Sequence, residues 1–320
     1  MTQKALVTGG AGFIGSHLCR ALLSQGWAVT VLDDFSTGKM ENLASVAADI
    51  DVICASVENE PCLARAAEAC DVIFHLAAVV SVPQTVAQPV AAAAVNEMGT
   101  LKVLQAARQA GARRVVFSSS CAVYGDSEDI PKHEQLDARP ASPYALQKYV
   151  GEQYGRLYHE LYQLETVSLR YFNVYGPRQD PSSPYSGVIS IFMDRAVKKR
   201  APVIYGDGRQ YRDFVYVADV AQANLKAARV STAAGRAFNI GTGQRMRIDE
   251  LWARICKLAG IDIPPQFAAA RAGDIVESVA DPDLARRELN FKAETSVDRG
   301  LAQTFDWYVR SLNKQGSESC

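Results

Sequence analysis

Tyr144-Ala-Leu-Gln-Lys148 places a phenol and an ammonium one helical turn apart on a single face. A free phenol, with a pKa of about 10, is a poor base at neutral pH. A lysine ammonium, with any further cation nearby, would stabilise the phenolate and bring its ionisation toward the working range. A serine hydroxyl can hold a reacting alcohol and pass its proton along. Phe117-Ser118-Ser119-Ser120 supplies three at the end of an apolar run. Taken singly, the first pair is also an ordinary helix-surface contact and the serines an ordinary strand-end turn. Of the 13 tyrosines only this one has a lysine four residues on, and it opens a helix after Pro140-Ala-Ser-Pro143.

A second cluster decides between those readings. Thr8-Gly9-Gly10-Ala11-Gly12-Phe13-Ile14-Gly15 follows the first apolar run and opens the first helical stretch. It satisfies G-x-G-x-x-G through Gly10, Gly12 and Gly15, and G-x-x-G-x-x-G through Gly9, Gly12 and Gly15. Such glycines permit a tight turn and close backbone approach, so that the helix N-terminus meets a pyrophosphate. The acid that completes the fingerprint is Asp33, 18 positions past Gly15 at the end of the second apolar run. A carboxylate there accepts hydrogen bonds from ribose hydroxyls. With Asp34 beside it, it repels a 2′-phosphate, which favours NAD over NADP.

These groups need a scaffold. Ala5–Thr8, Ala28–Leu32, Asp51–Cys54, Val72–His75 and Arg114–Phe117 read as buried strands. Between them Phe13–Gln25, Pro61–Ala69 and Val90–Ala110 are long enough for crossover helices. That alternation predicts an α/β fold, a Rossmann-like doubly wound parallel sheet. The serines then stand at the strand ends where such sheets bind ligands. Beyond residue 175 turn-rich segments mix with helical patterns at Ile189–Lys199, Ala218–Ala228, Asp249–Ala259 and Ser296–Val309. Short strands follow at Val203–Tyr205 and Ala237–Ile240. The chain divides into an NAD-binding domain at 1–175, joined by strands from later segments, a smaller mixed substrate lobe at 176–310, and a frayed polar tail at 311–320.

Composition sets the outer bounds. With 320 residues, 48% of them hydrophobic, the chain can bury a sizeable core. A net charge of −1 argues against a nucleic-acid binder held by phosphate contacts. No apolar run reaches the roughly 18 residues of a membrane span, and the N-terminus lacks a signal peptide's pattern. Seven scattered cysteines and four histidines show neither C-x-x-C nor metal-ligand spacing. A cytoplasmic protein with reduced thiols and no metal is expected.

From Thr8–Gly15 to Arg286-Arg-Glu-Leu-Asn290 the chain resembles the extended short-chain dehydrogenase/reductase family, and within it the nucleotide-sugar 4-epimerases. Asp34-Phe-Ser-Thr-Gly38, His75-Leu-Ala-Ala78, Ser118-Ser-Ser-Cys-Ala-Val-Tyr-Gly125 and Leu169-Arg-Tyr-Phe-Asn-Val-Tyr-Gly-Pro-Arg178 carry the resemblance. So do Asn96, Tyr144 with Lys148, Arg212-Asp-Phe-Val-Tyr-Val-Ala-Asp219 and Arg271-Ala-Gly-Asp274. The resemblance implies an NAD-dependent UDP-sugar 4-epimerase working through a transient 4-keto sugar. Tyr144 matches the base and Lys148 the residue that holds the nicotinamide ribose and tunes that base. Ser120, four before Tyr124, matches the hydroxyl that positions the proton. Implied cofactor contacts are Gly9, Gly12, Phe13, Ile14, Asp33, Ser36, Gly38, Lys39, Val57, Leu76, Ala77, Asn96, Ser118 and Tyr171. Ser56 stands where the family usually carries an acid for the adenine. Asn173, Val188, Tyr205, Arg212, Arg271 and Asp274 fall at nucleotide-sugar positions, and guanidinium forks suit a diphosphate.

Ser278 matches the position that controls room around the sugar's C2. A small residue there implies that UDP-GlcNAc and UDP-GalNAc are accepted along with UDP-Glc and UDP-Gal. Dehydratases of the superfamily carry an Asp-Glu pair where this chain has Cys121-Ala122, and decarboxylases a Glu in the same segment. A UDP-glucuronate 4-epimerase stays open as an alternative. A catalytically silent NAD-binding regulator fits less well, because Tyr144 and Lys148 are both present. Family members pair as homodimers through two helices, for which Val95–Ala110 and Tyr144–Leu161 are the candidates.

Overall fold

Lys4–Thr8 (β1) buries all of Ala5, Leu6, Val7 and Thr8, so both of its faces need cover, and a parallel sheet with helices on each side supplies it. The computed structural model describes residues 2–181, 187–270 and 275–317. From β1 the chain runs through α1 (Phe13–Ser24), β2 (Ala28–Asp33), β3 (Ile50–Cys54), α2 (Glu60–Ala67) and β4 (Val72–His75). Next come α3 (Val82–Ala87), α4 (Pro89–Ala93), α5 (Gly99–Gln109), β5 (Arg114–Ser120), α6 (Pro143–Tyr162), β6 (Glu165–Tyr171) and β7 (Asn173–Tyr175). The second half begins with α7 (Val188–Val197), β8 (Val203–Tyr205), β9 (Tyr211–Arg212), β10 (Phe214–Tyr216) and α8 (Val217–Ala227). It ends with β11 (Arg236–Ile240), β12 (Met246–Arg247), α9 (Ile248–Ala259), β13 (Gln266–Ala268), β14 (Glu277–Ser278), α10 (Asp283–Glu288) and α11 (Val297–Ser317).

Seven strands form one parallel sheet in the order β11-β6-β5-β4-β1-β2-β3. The order reverses between β1 and β4, and a crevice opens at such a switch point beyond the strand ends. Alternate side chains of β1 feed two cores. Ala5 and Val7 pack with Leu18 and Leu22 of α1 and Val220 and Leu225 of α8, whereas Leu6 packs with Leu63 of α2 and Val103 of α5. A third core in the smaller lobe gathers Phe192 of α7, Trp252 of α9 and Leu301 of α11.

Three sequence expectations change. The helix expected over Val90–Ala110 is broken by a π-turn at Ala94–Met98, which turns Asn96 inward. The expected tail continues α11 as far as Ser317, because no helix breaker intervenes before Gly316. Strand β6 escaped notice because Thr166, Ser168 and Arg170 alternate with Val167 and Leu169 as in a half-exposed strand; all five are buried. Thr166 Oγ1 donates to Gly155 O at 2.8 Å and Arg170 pairs with Glu152, so this polar face is covered by α6. The two halves also interleave. Strand β11 lies beside β6 in the main sheet, α8 packs on α1, and β7 pairs with β10.

Candidate active site

The turn from β1 to α1 requires glycine at two points. Gly9 has φ +70°, and a Cβ there would come within 2.7 Å of Ala77 N. A Cβ on Gly15 would stand 2.2 Å from Gly9 O, so helix and turn can touch only without one. The N-cap of α1 is Gly12, with no side-chain cap and no acid in the first turn, which leaves its N–H groups for an anion. Asp33, 6% exposed, ends β2; Oδ2 accepts from Ala11 N and Oδ1 from Phe35 N, both at 2.9 Å. Burial raises its carboxyl, and these two N–H groups oppose that shift.

One groove runs along the strand ends. Gly9, Gly12, Phe13, Ile14, Asp33, Ser36, Gly38, Lys39, Ser56, Val57, Leu76, Ala77, Ser118 and Tyr171 all border it. Asn96 does not. Its Oδ1 accepts from Val79 N at 2.8 Å, and Nδ2 donates to Val79 O at 3.0 Å and Gln147 Oε1 at 2.7 Å. It therefore shapes the loop after β4 from behind. The Tyr171 hydroxyl is engaged by Asn224, with which it exchanges hydrogen bonds at 3.0 and 2.8 Å. Near Ser56 the sequence reading missed Glu58, which also borders the groove and accepts from Ser56 Oγ at 3.3 Å. An acid two residues beyond the expected position was the available signal.

Ser142 caps α6 by accepting from Ala145 N at 3.2 Å, and Pro143 at the first helical position fixes where it starts. Tyr144 consequently sits in the first turn on the groove wall, with Ser118, Ser119, Ser120 and Cys121 bordering the same space. Burial pushes the Tyr144 phenol up to about 12, against a hydrogen bond with Ser120 that lowers it. Lys148, one turn on, is buried; its Nζ donates to Ser118 O at 2.7 Å and lies 5.8 Å from the Tyr144 ring centre. Burial drags its amine down to about 7, opposed by the Glu152 carboxylate. The expected lowering of the phenol by Lys148 is thus not seen here, since desolvation dominates at both groups. Behind them Glu152 accepts from Ser119 Oγ at 2.5 Å and from two Arg170 nitrogens at 2.9 and 2.7 Å. The end of β5 is thereby tied to α6.

The substrate side draws on the second half. Asn173 borders the groove and donates to Asp213 O at 3.2 Å. Strand β9 pairs with β14 so that Arg212 stands opposite Ser278, and Ser278 Oγ lies 3.9 Å from Cys121 Sγ, beside Ser120. Val188 opens α7 directly after Gly187, which borders the groove. Tyr205 ends β8 in the smaller lobe, and its carbonyl accepts from Gln210 Nε2 at 2.8 Å. Val188, Tyr205, Arg212 and Ser278 do not border the groove among the described residues, whereas Ser120, Tyr144 and Asn173 do. Arg271 and Asp274 lie outside the described residues. Among those described, no group of His, Cys, Asp and Glu could hold a metal, and no helix is long and apolar enough to cross a membrane.

The switch-point groove, its glycine turn and the Ser120–Tyr144–Lys148 set define an enzyme of the extended short-chain dehydrogenase/reductase class. More narrowly, the chain belongs to the NAD dependent epimerase/dehydratase family, whose model matches residues 5–241. It is 39% identical to a UDP-glucose 4-epimerase of Mycolicibacterium smegmatis over 96% of this chain and 98% of that one. A solved UDP-glucose 4-epimerase with UDP-glucose from Thermotoga maritima superposes with a TM-score of 0.92 at 36% identity, covering 97% of this chain and 100% of that one. A UDP-N-acetylglucosamine 4-epimerase from Methanobrevibacter ruminantium, in complex with UDP-N-acetylmuramic acid, gives 0.93 at 38% over the same shares. The protein is an NAD-dependent enzyme, and the open helix terminus, the glycine cradle and Asp33 fit that cofactor.

Proposed function

We propose that the protein is a UDP-sugar 4-epimerase that interconverts UDP-Glc with UDP-Gal and UDP-GlcNAc with UDP-GalNAc. The observation that carries this reading is that Ser120, Cys121 and Tyr144 border one groove with the glycine turn and Asp33, and that Ser278 Oγ lies 3.9 Å from Cys121 Sγ. NAD held in the groove would supply reversible hydride acceptance at C4. Tyr144 removes the proton of the 4-hydroxyl and returns it, and Ser120 holds that oxygen and bridges the transfer. Burial raises the phenol in the protein alone, and a cationic nicotinamide beside it would oppose that shift. Lys148 holds the nicotinamide ribose while its hydrogen bond to Ser118 O fixes it to β5. Arg212 and Arg271 orient the nucleotide diphosphate, with Asn173 bordering the groove.

Cys121 and Ala122 offer no acid–base pair for water loss, which favours epimerisation over dehydration. The small Ser278 side chain leaves room at C2 for an acetamido group. The relatives that act on UDP-glucose and UDP-N-acetylglucosamine support both substrate pairs. Exposed Leu146, Leu157 and Leu161 on α6, with Met98 before α5, support a homodimer through these two helices. Cys19, Cys54, Cys62, Cys70, Cys121 and Cys256 are free thiols, which suits the cytoplasm.

The test is Tyr144→Phe. C4 inversion should fall about 10²- to 10⁴-fold while NAD released by denaturation stays at the parent's amount. A variant as active as the parent sinks the mechanism.

A further inference from the structure

Arg178 follows β7 and is 8% exposed, with φ +71°, a conformation unfavourable for a side chain of its size. Nε lies 3.2 Å from His17 Nε2, Nη1 donates to Asn42 O at 3.0 Å, and Nη2 is buried with no partner. Among the described residues no carboxylate pairs with it. Its neighbour Arg20 adds like charge, and His17 is held neutral, pushed down to about 3 by burial and by Arg178 itself. Burial lowers the guanidinium to about 10, so it remains charged at neutral pH.

A buried cation without a counter-ion is costly, and a fold that also holds it in a strained conformation has to recover that cost elsewhere. Arg178 borders the groove that Gly12 and Phe13, at the uncapped N-terminus of α1, also border, and it meets α1 at His17, one turn in from that terminus. Two independent features bordering one groove therefore ask for an anion. Lys39 and Asp180, paired at 2.7 Å, tie the same loop to the segment after β2. We infer that Arg178 is the counter-ion of the cofactor's diphosphate, a clamp reaching from the loop after β7 to lock the dinucleotide against α1. This rests on the NAD-dependent epimerase reading, in which one NAD must stay bound between the two half-reactions. Arg178 thus governs cofactor retention and takes no part in the proton transfers.

The test compares the parent enzyme with Arg178→Gln and Arg178→Lys, purified with the NAD they carry. Loss of NAD after dilution should be about ten- to a hundred-fold faster in Arg178→Gln and intermediate in Arg178→Lys, which keeps the charge but not the fork. Thermal melts with added ADP and added adenosine separate a diphosphate contact from general damage. Arg178→Gln should lose stabilisation by ADP and keep that by adenosine. NAD retained as long as in the parent, or ADP and adenosine affected alike, overturns the inference. A parent that carries no NAD would instead count against the epimerase reading, so the two failures are distinguishable.

Discussion

Buried in α6 with its amine on Ser118 O, Lys148 binds its proton more weakly than a free lysine does, and that has a sign in stability. Moving the amine from 10.5 to about 7 costs the folded state on the order of 5 kcal/mol wherever the ammonium must be kept. The cost is complete below pH 7 and fades as pH rises toward 10.5, because above 7 the folded state has already released the proton that the unfolded chain still holds. Lys148→Met should therefore stabilise the fold at pH 6, by up to a few kcal/mol in denaturant titrations, with the gain shrinking toward pH 10. A parent more stable than the variant at pH 6 would contradict this. Ser278 carries a separate expectation. Ser278→Tyr, beside Cys121, should lower UDP-GlcNAc turnover about a hundred-fold relative to UDP-Glc, read as the ratio of the two kcat/KM values. Gly9, Asp33, Ser120 and Tyr144 were legible because their chemistry belongs to short sequence motifs. Asn96 and Arg178 were not, because what each does depends on partners far along the chain: Gln147 for one, His17 and Asn42 for the other.

At the scale of elements, α6 does three jobs from two stripes. Its first turn presents Tyr144, its inner face holds Lys148 and Glu152, and Leu146, Leu157 and Leu161 stand exposed. Replacing Leu157 and Leu161 by glutamate together should halve the mass measured by light scattering if that stripe pairs two copies, and an unchanged mass would remove it from the interface. The π-turn before α5 is the other element with a definite task. Asn96→Ala strips both backbone partners from Val79 and one from Gln147, which should cost about 2–4 kcal/mol and loosen NAD retention. Equal melting temperature and NAD content would show that the loop holds without it. No apolar period announces a π-turn, and the Ala-rich run from Pro89 reads as continuous helix.

At the scale of the molecule, the binding crevice depends on segments far apart in the chain. Strand β11 covers the edge of β6, and Val220, Leu225, Phe238 and Ile240 share a core with Val7, Leu18 and Val167. Residues 1–175 expressed alone should therefore lack a cooperative thermal transition, whereas a sharp one would show that the first half folds unaided. Local strand and helix patterns made the sheet class and the joining of a later strand legible; that β11 lies beside β6 was not, because nothing in Arg236–Ile240 itself names its neighbour. The same closure brings Ser278 to Cys121 and Arg178 to His17 of α1, so the proposed substrate and cofactor contacts rest on one fold. The most direct measurement of the central claim is chromatography of UDP-sugars incubated with the purified protein and no added NAD. UDP-Glc should convert to UDP-Gal, and UDP-GlcNAc to UDP-GalNAc, each reaching the same mixture from either side. Preparations that contain bound NAD yet leave C4 of every sugar unchanged would contradict the account.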